Sequence, residues 1–498
     1  MKERSLTRGA GILLAISSLP SHYGIGTMGE AAVKFVDLLA DLKQRYWQVL
    51  PIGPTGFGDS PYQPVSSCAG NPYLIDLDEL CSIGLLKAEE IRAMDWGDNE
   101  SDIDYSKMYE NRYAILRVAF KRFDADNGDY RAFLAENSSW LDDYALFRAL
   151  HKSNKETAWT EWEQGLKDRD PAAVSKYREK NSEDIDFYKF CQFQFDRQWT
   201  ALKNYANQRG IQIIGDIPMY MAHDSADVWA HRDLFVLGKN GELKSVSAVP
   251  PDEFSEKGQI WGNPVYNWTS QEADDYGWWK ERIRRASKLF DVIRLDHFIG
   301  MVKYYAVNPS SSSSAMGKWH KGPGKKLVEA IDSVCGDAKL IVDDAGPRTI
   351  VPGVKKLVEK FGCPCTRILL MAFNTGTDND NLPHNYQNSN LIVYPSTHDN
   401  ETLVGFAESR DESKLSYLYE YLNIEDKKDI PDAMIRLAYG SCADVAIVQM
   451  QDILGLGNDA RMNAPSTIGG NWQWRVGHES LDSERSAWIR QLANIYRR

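Results

Sequence analysis

The stretch Leu340-Ile341-Val342-Asp343-Asp344-Ala345-Gly346 is a short apolar run that stops abruptly on two carboxylates and a glycine. The same construction occurs at Asp291-Val292-Ile293-Arg294-Leu295-Asp296-His297 and at Leu391-Ile392-Val393-Tyr394-Pro395-Ser396-Thr397-His398-Asp399-Asn400. Buried parallel strands have uninterrupted Val, Ile and Leu stretches, and the catalytic groups of a β/α barrel lie where such strands end. The repeated pattern therefore predicts that Asp296, Asp343 and Asp399 belong to one site.

Apolar runs alternate with amphipathic segments along the chain, which is the pattern of parallel βα units. The expected strands number eight, as in a (β/α)8 barrel, and cover residues 11–16, 46–50, 211–214, 292–295, 340–342, 368–372, 391–394 and 445–450. Apolar residues recur at helical spacing in residues 30–42, 327–334 and 353–361, which are expected to form outer helices. The sequence thus predicts an α/β fold, a (β/α)8 TIM barrel.

Two connections are longer than a βα loop requires, so we expect them to be inserted subdomains of a single catalytic barrel over residues 1–498. Residues 57–210 start with a turn-rich segment and continue as charged, Trp- and Tyr-bearing helical sequence. They predict a mainly helical subdomain. Residues 222–288 contain Val249-Pro250-Pro251-Asp252-Glu253-Phe254 and Trp261-Gly262-Asn263-Pro264, where proline and glycine disfavour regular structure. They predict a loop-rich subdomain that faces the substrate.

Composition and charge exclude several classes of function. A formal net charge of -12 without a long basic run argues against nucleic acid as a partner. The apolar stretch at residues 11–19 is too short to span a membrane, so neither a membrane partner nor an export route is expected. Seven scattered cysteines, an odd number, do not suggest a disulfide framework and favour the cytoplasm.

One cysteine pair, Cys363-Pro364-Cys365, raises the question of a metal site. Zinc sites need further Cys or His ligands at suitable spacing, and the sequence has none beside this pair. We interpret the pair as a turn before the next strand. No metal and no cofactor are expected.

The residues around the strand-end acids suggest different roles for them. Arg294 lies two residues before Asp296 and therefore on the same face of the strand, where its guanidinium is expected to hold Asp296 ionised as a nucleophile. Asp343 is the candidate acid, since like-charge repulsion from Asp344 can help it to keep a proton. Glycosidic chemistry needs such a pair of carboxyl groups around the sugar. The residues do not decide between Asp343 and Asp344.

Two further acids complete the predicted cluster. Asp399, preceded by His398, is expected to bind sugar hydroxyls and favour a distorted ring, and Asp216 follows the apolar run at residues 211–214. Each acid alone could equally be a helix cap, because Asp is a preferred capping residue. The set of acids is a stronger signal than any one of them.

The aromatic content is consistent with a carbohydrate ligand. The chain has 15 Trp and 24 Tyr residues, and Tyr62, Phe254, Trp261 and Tyr266 lie in turn-rich segments where flat rings could stack on pyranose faces. Trp and Tyr in the predicted helices are interpreted as core residues instead.

Ten longer motifs carry a family resemblance between Gly11 and about Arg475. They are Ser17-Ser18-Leu19-Pro20-Ser21 with Tyr23-Gly24-Ile25-Gly26, Tyr46-Trp47-Gln48-Val49-Leu50-Pro51, Gly58-Asp59-Ser60-Pro61-Tyr62-Gln63, Gly215-Asp216-Ile217-Pro218, Ala222-His223-Asp224-Ser225-Ala226-Asp227-Val228-Trp229, Gly258-Gln259-Ile260-Trp261-Gly262-Asn263-Pro264, Arg294-Leu295-Asp296-His297-Phe298, Leu382-Pro383-His384-Asn385-Tyr386, Thr397-His398-Asp399-Asn400 and Ala460-Arg461-Met462-Asn463. In this order they resemble the 4-α-glucanotransferases of the amylomaltase or disproportionating-enzyme type, glycoside hydrolase family 77.

The resemblance implies a barrel with inserted subdomains, no separate C-terminal β-domain, no required metal and a retaining double displacement on α-1,4-glucans. By its motifs, Asp296 matches the nucleophile, Asp399 the transition-state stabiliser, and Arg294 and His398 their supporting groups. The resemblance also implies residues that line the donor and acceptor subsites. They are Tyr62, Ser60, Asp216, Phe254, Trp261 and Asn463. The implied partners are maltooligosaccharide donors and acceptors.

The chain departs from the family pattern chiefly at the acid. Where the family has Ala-Glu-Asp-Leu-Gly, with Glu as general acid/base, this chain has Val342-Asp343-Asp344-Ala345-Gly346, which shortens the acid by one C–C bond of about 1.5 Å. Other departures are Cys365, Leu370, Met371, Asn374, Ala248 and Ser466. Three interpretations stay open: an active transferase that uses Asp343, a glucan-binding paralogue with weakened chemistry, and an α-1,4-glucan hydrolase.

Overall fold

The computed structural model of the chain describes residues 4–56, 58–251, 255, 257–343, 352–373, 376–477 and 483–498. Its strands are β1 (Gly9–Leu13), β2 (Tyr46–Gln48), β3 (Gln212–Ile217), β4 (Val246–Val249), β5 (Gln259–Pro264), β6 (Val292–Leu295), β7 (Lys303–Val307), β8 (Lys318–Lys321), β9 (Lys339–Val342), β10 (Cys365–Ile368), β11 (Leu391–Tyr394) and β12 (Val445–Gln449).

Eight of these strands close into a parallel barrel in the order β1-β12-β11-β10-β9-β6-β3-β2. The register places Arg294 of β6 between Asp216 of β3 and Ile341 of β9. Buried side chains fill the barrel interior, namely Leu6, Leu13, Tyr46, Ile214, Val292, Ile341, Ile392, Tyr394, Val445 and Ile447. The predicted (β/α)8 barrel is confirmed.

The α-helices are α1 (Glu30–Asp41), α2 (Leu77–Ser82), α3 (Ala88–Arg92), α4 (Tyr105–Phe120), α5 (Gly128–Glu136), α6 (Ser138–Ser153), α7 (Gln164–Lys167), α8 (Pro171–Lys180), α9 (Ser182–Gln208), α10 (Ala226–Ala230), α11 (Trp268–Ala273), α12 (Gly277–Leu289), α13 (Ile299–Val302), α14 (Lys325–Val334), α15 (Pro352–Phe361), α16 (Leu403–Ser409), α17 (Ser416–Leu422), α18 (Ile430–Gly440), α19 (Met450–Ile453) and α20 (Ser483–Ile495). The predicted helices at residues 30–42, 327–334 and 353–361 correspond to α1, α14 and α15 and are confirmed. In α1 the buried residues recur three or four positions apart, as expected for a helix with one face on the core.

Short 3-10 turns connect several of these elements. They are Ile16–Ser18, Pro72–Leu74, Trp159–Glu161, Arg232–Leu234, Ser314–Met316, Leu369–Met371, Pro383–Asn385, Glu412–Lys414, Lys427–Asp429 and Asn458–Ala460. Between β2 and β3 the chain forms α2 to α9, and the long helix α9 packs against α6 and α1 before it leads into β3. The division of the chain into a barrel and two subdomains stays a prediction.

The predicted strand at residues 368–372 is wrong. β10 is Cys365–Ile368, and the apolar residues after it form the 3-10 turn Leu369–Met371. Both segments are buried, so a continuous apolar run could not show where the strand ended. Cys365 is accordingly the first residue of a barrel strand and not part of a turn.

The expectation of irregular structure around Trp261-Gly262-Asn263-Pro264 is also wrong. These residues belong to β5, the edge strand of a four-stranded sheet with the order β5-β4-β7-β8. Edge strands tolerate proline and glycine because one side of the strand needs no ladder partner, and Gly262 adopts a φ of 79° that few other residues adopt. The ring of Trp261 on β5 contacts His297, which follows β6, so this sheet adjoins that barrel strand.

Candidate active site

The carboxyl ends of the barrel strands open into a cleft with a volume of about 650 Å³. Asp296 directly follows β6, Asp343 directly follows β9, and Asp399 lies in the turn after β11. All three acids line this cleft. The structure therefore brings together the acids that the apolar runs placed at strand ends.

Arg294 is the cation shared by this cluster. Its Nη1 lies 2.5 Å from Oδ2 of Asp216 and 3.1 Å from Oδ1 of Asp296, and its Nη2 lies 2.8 Å from Oδ2 of Asp343. The side chain of Arg294 is only 9% exposed. One buried guanidinium thus orients three carboxylates on three barrel strands.

The expectation that Arg294 holds Asp296 ionised is wrong, because burial outweighs the guanidinium. Burial raises the pKa of Asp296 to about 8, Arg294 opposes this, and the carboxylates of Asp216, Asp343 and Asp399 act in the same direction as burial. Burial likewise raises the pKa of Asp216. Removal from water disfavours the charged form of a carboxyl group, so these two buried acids keep their protons to higher pH than exposed aspartates do.

Asp343 is held through its backbone as well as its side chain. Its N–H donates to the carbonyl of Leu295, and its carbonyl accepts from the N–H of Phe298, both at 3.1 Å. Oδ1 of Asp343 accepts a hydrogen bond from the hydroxyl of Thr366 on β10 at 3.2 Å. With Arg294 on Oδ2, the carboxyl group is fixed from both sides.

Asp399 is positioned by the segment that follows β12. Nδ2 of Asn463 donates to Oδ1 of Asp399 at 2.6 Å, and Arg461 donates to the Asp399 carbonyl at 2.7 Å. Nε2 of His398 lies 3.5 Å from Oδ2 of Asp399. The backbone N–H of Asn463 also donates to the His398 carbonyl at 3.0 Å. The two motifs that contain these residues therefore form one local unit.

Tyr62 connects this unit to the arginine cluster. Its ring stacks on His398 with centroids 5.3 Å apart and tilts against Trp472 at 5.7 Å. Its hydroxyl donates to Oδ2 of Asp216 at 2.8 Å. The side chain of Asp216 is 0% exposed and does not line the cleft, contrary to the expectation that it lines a subsite. Its carboxylate instead accepts hydrogen bonds from Arg294 and Tyr62.

Trp261 and Ser60 also line the cleft. The Trp261 ring meets His297, the residue after the nucleophile candidate, edge to face at 4.7 Å. Burial lowers the pKa of the His297 imidazole to about 4, so this ring is neutral at physiological pH. Ser60 lines the cleft and its hydroxyl accepts from the backbone N–H of Tyr62.

Three residues of interest lie outside the described residues. They are Phe254, expected at a subsite, Asp344, the alternative acid, and Asn374, a departure from the family pattern. Conversely, Thr366 and Tyr394 were not predicted at the site although both line the cleft. Tyr394 donates to Oε1 of Gln48 at 2.7 Å. Neither residue has a signal in its own sequence context, because its place depends on the register of neighbouring strands.

Among the described residues, no group of three or more His, Cys, Asp or Glu side chains is arranged to hold a metal ion. No helix in the described part of the chain is long and apolar enough to cross a membrane.

Comparison with known proteins gives one consistent result. The family model for 4-alpha-glucanotransferase, glycoside hydrolase family 77, matches residues 14–480. The 4-alpha-glucanotransferase of Streptococcus pneumoniae is 41% identical over 495 residues, covering 99% of this chain and 97% of that protein. That of Clostridium butyricum is 41% identical over 488 residues, covering 97% and 99%. The amylomaltase from Streptococcus agalactiae, solved in complex with acarbose, superposes with a TM-score of 0.94 at 36% identity, covering 99% of both chains.

A closed β/α barrel with clustered carboxylates and aromatic rings at its strand ends defines a carbohydrate-active barrel enzyme. Within that class, the match over nearly the whole chain identifies the family. The chain belongs to glycoside hydrolase family 77, the 4-alpha-glucanotransferases, and is an enzyme of starch and maltodextrin metabolism. The family resemblance inferred from the motifs is confirmed.

Proposed function

We propose that this enzyme transfers α-1,4-glucan segments between maltodextrins by a retaining double displacement through a covalent glycosyl-aspartate on Asp296. The observation that carries this proposal is the sharing of Arg294 by Asp296 and Asp343, with Asp399 in the same cleft. Retaining enzymes keep their two carboxyl groups only about 5 Å apart, whereas inverting enzymes need about 6.5–9.5 Å for a water molecule. Two carboxylates on the terminal nitrogens of one guanidinium support the short separation.

In the first step Asp343 protonates the glycosidic oxygen while the Asp296 carboxylate attacks the anomeric carbon. The C–O bond breaks, the shortened glucan leaves with the proton, and an ester to Asp296 forms. In this mechanism Asp343 takes the role of the general acid and Asp296 that of the nucleophile. Asp399 and His398 bind the sugar hydroxyls and stabilise the distorted, oxocarbenium-like ring.

In the second step an acceptor hydroxyl replaces the leaving group. Asp343, now ionised, removes the hydroxyl proton, and the acceptor oxygen displaces Asp296 from the anomeric carbon. Transfer prevails over hydrolysis when water is kept from the ester, and Val249, Ile260 and Trp261 give the cleft part of its apolar lining. Tyr62 and Trp261 offer rings on which the acceptor can stack.

Incubation of the purified enzyme with maltotriose tests this function. We expect glucose together with a ladder of longer maltodextrins, because each transfer lengthens one chain as it shortens another. Asp296→Asn, assayed in parallel at equal protein concentration, should produce no ladder. Its unchanged circular dichroism spectrum would show that the fold is intact.

The same assay separates the two alternatives. Binding of maltotriose without any new product would identify a glucan-binding paralogue whose chemistry is weakened by the shorter acid. Reducing ends released from starch without longer chains would identify a hydrolase. The odd number of scattered cysteines supports a cytoplasmic location for the reaction.

A further inference from the structure

A row of four residues crosses the four-stranded sheet beside the cleft. Ile260 of β5 pairs with Ala248 of β4, Ala248 pairs with Tyr305 of β7, and Tyr305 pairs with Trp319 of β8. Directly opposite residues in antiparallel strands project from the same face of a sheet. The row, which we call the Trp319 row, therefore connects the edge strand nearest the nucleophile to the far edge of the sheet.

The two ends of the Trp319 row are open to the cleft, whereas its middle is buried. Ala248 and Tyr305 are 1% and 6% exposed, and the Trp319 ring covers Tyr305 edge to face at 5.1 Å. Ile260 is 39% exposed. Ile260 and Trp319 both line the cleft that contains the acids.

Trp319 also differs from its neighbours on β8. It is half-buried, whereas Lys318, His320 and Lys321 are exposed. Its indole N–H donates to no acceptor among the described residues and is not enclosed. Close to the start of β8, Met316 is 70% exposed, which extends the apolar surface. An indole face with an available donor suits a pyranose ring that carries hydroxyl groups.

We propose that Trp319 is an outlying sugar-binding platform that holds a distal glucose unit of a long α-1,4-glucan. The inference rests on the proposed function, since it assigns a further subsite to the same cleft. Trp319 lies three strand spacings from Ile260, a distance of about 14 Å at about 4.8 Å per strand. We therefore expect the platform to contribute more to the binding of long chains than to the binding of short ones.

The test is a chain-length series measured on Trp319→Ala. We expect wild-type kcat/KM with maltotriose, and a KM that rises over the wild-type value by about tenfold with maltoheptaose and amylose, equivalent to about 1.4 kcal/mol. Trp319→Phe, which keeps an aromatic face but lacks the N–H, should fall in between. His320→Ala is the matched control, because His320 is on the same strand and stacks on Tyr304 away from the row. It should behave as the wild type at every chain length.

The outcomes separate the platform from the function of the cleft. An unchanged KM for long glucans in Trp319→Ala overturns the platform, even if the maltotriose ladder is normal. An equal loss with maltotriose and with long glucans also overturns it, because that pattern indicates general damage to the sheet; Trp319→Phe then tells whether packing on Tyr305 is the cause. Absence of a maltotriose ladder in the wild type contradicts the proposed function itself.

Discussion

In the proposed mechanism Asp343 is the general acid, and it is the residue on which the rate is expected to depend most. The family resemblance implies a glutamate at this position, and the missing carbon corresponds to about 1.5 Å. A misplacement of about 1 Å at a reacting group can slow a reaction on the order of 100-fold. The backbone of Asp343 is bonded to Leu295 and Phe298, so it cannot move forward without breaking these bonds. Any compensation must come from the side chain or from the substrate.

Asp343→Glu tests this view of the acid. The variant restores the family side chain on a backbone that is fixed to the nucleophile strand, so we expect it to keep or raise the rate of disproportionation. The measurement is kcat with maltotriose. Complete loss of activity would show that the surroundings are built around the shorter side chain, or that Asp344 is the working acid.

Thr366 is expected to act as a positioning residue for Asp343. A hydrogen bond to a charged group contributes about 1.5–3 kcal/mol, so Thr366→Val should lower kcat by about 10- to 100-fold with little change in KM. Thr366→Ser keeps the hydroxyl donor and should restore kcat. A Thr366→Val variant that is merely less stable, with normal kcat, would contradict this role.

The raised pKa of Asp296 has a consequence for stability. The folded protein holds this proton up to about pH 8, whereas an unfolded chain releases it near pH 3.9. The contribution of this proton to stability is therefore complete at low pH and is lost as the pH rises through about 8. Asp296→Asn stays neutral, and Arg294 keeps Asp216 and Asp343 as partners.

We therefore expect Asp296→Asn to melt a few degrees above the wild type near pH 9 and at nearly the same temperature near pH 4. The measurement is the melting temperature across this pH range. A variant that is less stable than the wild type at high pH would show that the ionised carboxylate stabilises the fold.

The acids and the arginine on the strand of Asp296 were predictable from the sequence, whereas the contacts between neighbouring strands were not. Asp296, Asp343 and Asp399 end apolar runs, and this signal is local to each strand. The partnership of Thr366 with Asp343 depends instead on which residues of β9 and β10 lie side by side, and the predicted boundaries of β10 were wrong. Arg294 contacts three carboxylates, so its place beside Asp296 in the sequence did not show whether Asp296 is ionised.

At the scale of elements, the barrel strands were predictable and the second sheet was not. Barrel strands are buried on both faces and have continuous apolar sequences. By contrast, β8 has the sequence Lys-Trp-His-Lys, and β5 contains glycine and proline. The strands are stabilised by pairing with one another: β4 pairs with β5 on one side and with the distant β7 on the other. A local sequence pattern does not indicate such pairing.

Closure of the barrel at β1 requires a residue without a side chain. A Cβ on Gly11 would lie 2.4 Å from the carbonyl oxygen and 2.6 Å from the Cβ of Tyr46 on β2. Forcing extra atoms into such a packed position costs about 1–3 kcal/mol. Gly11→Ala should therefore lower the free energy of unfolding by this amount, which is measured by denaturant titration.

Gly128→Ala is the matched control for that substitution. A Cβ on Gly128 meets nothing within 4 Å, and the residue begins helix α5. Its unfolding free energy should stay within about 1 kcal/mol of the wild type, or rise slightly because the unfolded chain is restricted. If Gly11→Ala were as stable as the wild type, β1 and β2 could move apart at this point without loss of stability.

At the scale of the whole molecule, the barrel, the helical region between β2 and β3 and the four-stranded sheet surround one cleft. Tyr62 comes from the first connection, Trp261 from the sheet and Asn463 from the segment after β12, and all three line it. The fold as a whole is similar to that of the Streptococcus agalactiae amylomaltase, with a TM-score of 0.94 over 99% of both chains. The cleft is therefore built from distant parts of the sequence that only the complete fold brings together.

A covalent glucan on Asp296, formed with the help of Asp343, can be trapped and detected. Asp343→Ala is incubated with α-maltosyl fluoride, whose leaving group needs no acid, and the masses of the intact protein and of its peptides are measured by mass spectrometry. We expect accumulation of one maltosyl unit per chain, mapped to Asp296, because the base for the second step is missing. No adduct, or an adduct on another residue, would contradict it.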